Sequence, residues 1–171
     1  SSLDLEGIEW RRAFVALDGG NFVVIDHVDQ EAKAPCHAVL HLAPDIRPTE
    51  IGSGHFGLSM DGVGPEILLV SSAELDCQAG SGESQFPRGL VTRELGKWEP
   101  SPVISACFSE RRAWLVTVFS PASVHNVMVH TLYAGKLLRV TLVDGPSPVV
   151  VDCNLTDPRA QVRIHAFRDH R

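Results

Sequence analysis

Apolar and polar residues alternate along most of this chain with the period of a strand. Between residues 138 and 143, Leu138, Val140 and Leu142 fall on one side while Arg139 and Thr141 fall on the other, as in a sheet with one wet face. From Trp114 to Phe119 both sides are largely apolar, which predicts a central strand. Short runs rich in β-branched residues recur at 12–17, 22–26, 37–42, 55–60, 67–71, 103–108, 112–119, 127–133, 137–143, 149–153 and 162–167. Asp18-Gly19-Gly20-Asn21 closes the first two runs into a β-hairpin. Asp61-Gly62, Ala134-Gly135 and Asp144-Gly145-Pro146 join later neighbours by links too short for a crossover helix. No window of a dozen residues holds a 3.6-residue apolar period, so little helix is expected.

Many short strands with tight links predict an all-β protein: one large two-layer antiparallel β-sandwich of about a dozen strands, spanning residues 1–171 as a single domain. The stretch 76–102, with Gly80-Ser81-Gly82-Glu83-Ser84 near its start and Trp98-Glu99-Pro100-Ser101-Pro102 at its end, has weak periodicity and reads as a loop. There is no internal repeat and no domain linker.

Composition narrows the function classes. With 171 residues and 44% hydrophobic against 21% charged, the chain can bury an ordinary core. No apolar run approaches the roughly 18–20 residues that cross a bilayer as a helix, and the first residues lack a basic and apolar leader, so no membrane contact is expected. A leader already removed is compatible with this start. The net charge of −6 argues against a nucleic-acid partner, which calls for a basic face. Twelve of the 15 cations are Arg, a bias that suits planar recognition of carboxylate or sulfate and that genome base composition also produces.

Cys36, Cys77, Cys107 and Cys153 form no Cys-x-x-Cys pair, which excludes a zinc ribbon, and three sit inside apolar runs, so buried free thiols are expected. Two disulfides would be the other use of an even count in an oxidising compartment. Asn154-Leu155-Thr156 is a glycosylation sequon, meaningful only in a eukaryotic secretory protein. His37 and His41 would share a metal on a helix, but on a strand they stand about 13 Å apart. Asp26-His27-Val28-Asp29 could supply part of a metal site or a solvated turn; no metal and no cofactor are expected. Ile51-Gly52-Ser53-Gly54-His55 lacks the spacing of a nucleophile elbow, and Ala79-Gly80-Ser81-Gly82 lacks the Lys-Ser or Lys-Thr of a phosphate loop.

The arginines carry the most specific chemistry. Arg11 and Arg12 precede a strand, as do Arg111 and Arg112, and Arg88 and Arg93 flank the stretch leading to Trp98. A guanidinium fork beside an indole suits an anionic sugar: paired N–H donors for a carboxylate or sulfate, and an apolar plate for the ring. Arg11, Arg12, Arg88, Arg93 and Trp98 are therefore the candidate substrate-binding residues, against the plainer reading that they are solvated strand ends.

Several segments in order resemble one family. Trp10-Arg11-Arg12-Ala13-Phe14, the hairpin from Gly19 to Asp26, and His37-Ala38-Val39-Leu40-His41-Leu42-Ala43-Pro44-Asp45 are similar to successive strands of the C-terminal β-sandwich of heparinase II/III-like proteins, a bacterial polysaccharide lyase group. Gly96-Lys97-Trp98-Glu99 and the strand from Leu115 to Pro121 resemble that family's Trp-containing loop and a later strand, so the likeness spans most of residues 8–143.

The resemblance implies a C-terminal piece of a larger protein whose N-terminal α/α toroid supplies a Tyr and other polar groups. It implies cleavage of uronic-acid-containing polysaccharide by β-elimination, a base taking the C5 proton while an acid protonates the leaving oxygen. The family's His-x-His-x-Asp segment does not occur here, Trp10 stands where a His is usual, the typical Tyr-Gly after the Trp loop is missing, and the sole tyrosine is Tyr133. No catalytic residue is therefore assigned, and the chain alone is expected to be silent. The alternative is a non-catalytic carbohydrate-binding or structural β-domain. The expected partners are an anionic polysaccharide and the toroid, with homodimerisation through an apolar patch left by a missing neighbour. The resemblance places the protein in a bacterial periplasm or cytoplasm.

Overall fold

A computed structural model describes residues 2–5, 7–59, 64–80, 90–94, 97–121, 126–132, 135–143, 148–156 and 161–166. It is all-β, as the alternation predicts. The strands are β1 (Ser2–Leu5), β2 (Ile8–Ala16), β3 (Phe22–His41), β4 (Arg47–Gly52), β5 (His55–Ser59), β6 (Glu66–Ser71), β7 (Asp76–Gly80), β8 (Leu90–Glu94), β9 (Lys97–Pro100), β10 (Val103–Ser120), β11 (Val127–Leu132), β12 (Leu137–Leu142), β13 (Val149–Asn154) and β14 (Val162–Ala166). All pairings are antiparallel. A large sheet runs β1-β2-β3-β10-β6-β5-β4 with β7 also paired to β10; a small sheet runs β11-β12-β13-β14, and β8 and β9 form a separate hairpin.

The turns follow from their residues. Gly19 and Gly20 have φ of 79° and 83°, where an L side chain is strained, and they close the β2–β3 hairpin with Leu17 N–H donating to Asn21 O. Gly54, at φ 68°, turns β4 into β5; a Cβ there would sit 2.6 Å from Leu69 O, so only glycine fits.

Two expectations change. The stretch 76–102 is not one loop: β7, β8 and β9 lie in it, β7 paired to β10 alone among the described strands and β8 with β9 as a short separate hairpin. The runs at 22–26 and 37–42 belong to one 20-residue strand, β3, and those at 103–108 and 112–119 to one 18-residue strand, β10. The polar stretches between them hide the continuity, because that is where both strands bend. β3 and β10 pair from Val103–His41 to Glu110–Ala34 and again from Arg112–Asp29 to Phe119–Phe22, leaving the four residues Gln30 to Lys33 opposite Arg111 alone, a large irregular bulge. Buried Gln30 staples it: Nε2 donates to Ala34 O at 2.9 Å and to Glu110 O at 2.6 Å.

The bend folds the large sheet over on itself. Phe108 and Leu115 would lie about 23 Å apart on a straight strand, yet both belong to one apolar cluster with Val28, Phe56, Ile67, Leu69, Ile104, Ala106 and Ala113. The later half of β3, the early half of β10 and β7 thus form a flap over the earlier half of β3 and the later half of β10. On the other side of that central layer the small sheet packs through a second cluster: Ala13, Val15, Val23, Ile25, Trp114, Val116 and Val118 meet Leu138, Val140, Leu142, Val151, Cys153 and Leu155. The strand from Trp114 to Phe119 is central and the strand around Val140 half-exposed, as the pattern predicts.

Candidate functional site

Strand alternation separates neighbours in sequence. On β2, Trp10, Arg12 and Phe14 face the flap, while Arg11, Ala13 and Val15 face the small sheet. Arg11 and Arg12 therefore do not make one fork. Arg11 reaches across the seam between the sheets, its Nε–H donating to Glu9 Oε1 at 2.8 Å and its Nη1–H to Leu155 O. Arg12 stands opposite Asp26 in register. Its Nε–H donates to Asp26 Oδ1 at 2.6 Å and its Nη2–H to Oδ2 at 3.1 Å.

Asp26 is only 4% exposed. A carboxylate at that depth needs several donors to remain ionised, and Trp10 supplies a third, its Nε1–H donating to Oδ1 at 2.7 Å. The Arg12 guanidinium in turn lies 4.9 Å from the Trp10 ring centroid and 5.9 Å from that of Phe14, both within cation–π range. Phe14 stacks on Phe22 at 6.0 Å, and Phe22 meets Phe119 at 6.0 Å. Phe14 is nonetheless 59% exposed.

These residues line a groove between the central layer and the flap. One lobe, about 360 Å³, is bounded by Arg12, Phe14, Phe22, Thr117, Phe119 and Leu40 of the flap; the next, about 230 Å³, by Ile8, Trp10, Val28, Cys36 and Phe108. Asp26 and Ala38 border both lobes, so they form one trough. Apolar walls, an exposed aromatic edge and a buried charge pair make it suited to a ring-shaped ligand with one oriented polar face.

Opposite this trough, His27 points into the seam. Burial and the Arg11 cation lower its pKa from 6.5, so it is neutral at pH 7, and its Nδ1 is buried with no hydrogen-bond partner among the described residues. Asp26-His27-Val28-Asp29 thus divides between faces instead of forming a turn, and no group of three His, Cys, Asp or Glu gathers among the described residues. All four cysteines are free; only Cys153 is fully buried, whereas Cys36, Cys77 and Cys107 are half-buried, a correction to the expectation of buried thiols.

Of the sequence-selected binding residues, Arg12 lies in the trough and Arg11 in the seam. Arg93 lies on β8 and Trp98 on β9, in the separate hairpin, with side chains outside the described residues, as are Arg88 and Tyr133. The indole beside an arginine is thus found with Trp10. Trp10, Phe14 and Asp26 are not among the binding candidates the sequence suggests, although the i, i+2, i+4 spacing of Trp10, Arg12 and Phe14 carries the signal.

This all-β sandwich fold is similar to part of two solved structures. The chain superposes on heparinase III with a TM-score of 0.61 at 10% identity, covering 95% of this chain and 24% of that one. On a mutant of the heparan sulfate lyase HepC from Pedobacter heparinus the TM-score is 0.65 at 11% identity, with the same 95% and 24% coverage. The chain therefore spans about a quarter of the length of these structures and shares their fold over that part. No protein-family model matches it, and no curated protein does.

Proposed function

We propose that this chain is the C-terminal β-sandwich of a heparinase II/III-like polysaccharide lyase, walling a cleft for a uronic-acid-containing polysaccharide. The observation that carries the reading is the extent of the likeness: 95% of the chain superposes on 24% of heparinase III and of HepC, with TM-scores of 0.61 and 0.65. The trough adds chemical support, because Trp10 and Phe14 offer apolar plates to a sugar ring beside the Arg12–Asp26 pair. Proton transfer at C5 and at the leaving oxygen falls to a helical domain supplied by the parent protein.

Absorbance of unsaturated uronate tests this. The parent protein with its helical region should degrade heparan sulfate, hyaluronan or alginate, and the 171-residue chain should give no rise on any of the three. An inactive parent protein that still binds these polymers would favour the carbohydrate-binding reading. Turnover by the chain alone would overturn both.

A further inference from the structure

The small sheet has its own polar face, turned away from both cores. Alternation on β12, β13 and β14 sends Leu138, Val140, Val151 and Cys153 inward and Arg139, Asp152, Arg163 and His165 outward. Registry then lines up His130, Arg139, Asp152 and Arg163 as one row across all four strands. At strand spacings of about 4.8 Å the row spans about 14 Å.

A fold needs nothing from such a face except solubility, for which mixed charges suffice. This face is instead biased. Lys136, Arg139 and Arg163 border a shallow cavity of about 530 Å³ in which Asp152 is the sole carboxylate among the described lining residues. Arg139 neutralises that carboxylate with two N–H donors at 2.7 Å each, and it holds the Asp152 pKa below 3.8. Exposed Lys136 and Arg163 remain as positive charge on a chain whose net charge is −6. His165 lies 3.6 Å from Asp152 Oδ2 and is half exposed. Asn154 and Gln161 at the rim add amides suited to hydroxyl groups.

We propose that this outward face is a second binding site for an anionic glycan, with Lys136 and Arg163 taking sulfate or carboxylate groups and the Arg139–Asp152 pair forming a rigid floor. The choice of a glycan rests on the function proposed above; the preference for an anion rests on the face itself. A nucleic acid is the poorer fit, because among the described lining residues there is no Phe, Tyr or Trp ring to stack on a base and only the His165 imidazole could do so.

Calorimetric titration of the chain with a heparin decasaccharide tests the site. The double substitution Lys136→Glu/Arg163→Glu should weaken binding about tenfold or more, the effect of losing two charge-assisted contacts. Asp152→Asn, which removes the one negative charge among the described lining residues, should tighten it, a change that loss of folding cannot mimic. Thermal melting of each variant identifies any that is unfolded. Unchanged affinity in the folded double variant, or no tightening in folded Asp152→Asn, overturns the proposal. So does equal affinity for inorganic sulfate, or stronger binding of single-stranded DNA with the same sensitivity to substitution. Lyase activity of the parent protein is a separate readout: its absence beside variant-sensitive heparin binding sinks the lyase reading and leaves this site standing.

Discussion

The two faces of the central layer treat the same residue types differently. Toward the small sheet, β2, β3 and β10 present Ala13, Val15, Val23, Ile25, Val116 and Val118, nearly all of them removed from water, with Arg11 and His27 at one end. Toward the flap the same strands present Trp10, Arg12, Phe14, Asp26 and Thr117, an apolar surface with a charge pair sunk in it and one ring left largely in solvent. The seam is closed mainly by apolar packing, with the Arg11 hydrogen bond to Leu155 O at its end, whereas the trough keeps polar groups and space. Binding chemistry needs the second condition, and stability is concentrated in the first.

Substitutions can sharpen that contrast. The largest effect is expected in the seam: Leu138 is fully buried there, and Leu138→Ala should cost about 3 kcal/mol in urea unfolding, from lost transfer energy plus the cavity left behind. In the trough, Arg12→Leu should cost about 2–3 kcal/mol by leaving the Asp26 carboxylate buried with Trp10 as its remaining named donor. Arg12→Leu/Asp26→Leu should recover much of this loss, since removing both charges also removes the unpaired one. A double variant no more stable than the single would show that the pair is not the source.

The His27 effect is smaller and depends on pH. Because its folded pKa lies below 6.5, the unfolded chain takes up a proton that the folded chain refuses as pH falls below that value. The melting temperature should therefore be insensitive to this group above pH 6.5 and decline below it, and His27→Leu should remove that part of the decline. The smallest effect is expected at Phe14: with 59% of its surface exposed, Phe14→Ser should change stability by no more than about 0.5–1 kcal/mol, while weakening the glycan binding proposed for the trough.

Alternation made the strands and their inward residues legible in the sequence, down to the half-exposed β12 and the central strand around Val116. The glycine pair at Gly19 and Gly20 likewise announced its hairpin. Two things stayed hidden for physical reasons. A bulge built from Gln30 to Lys33 looks like a loop, because its polar residues find their partner on a distant strand segment, Gln30 bonding the Glu110 carbonyl and Lys33 the Glu110 carboxylate, which no local pattern reveals. The trough is half visible in the sequence: Arg12 stands out as a binding candidate, yet its adjacency to Arg11 suggests one fork, although period two places the two on opposite faces. Asp26 looked like a strand-end acid until registry set it against Arg12 and folding buried it.

The fold-over of β3 and β10 has a consequence for how the molecule comes apart. Each of these two strands runs through both apolar clusters, so neither cluster can dissolve while the other keeps its framework. Amide hydrogens at Val23, Ile25, Ile104 and Ala106 should accordingly exchange with solvent together, through one concerted opening, while those of the marginal strands β1 and β14 fray on their own.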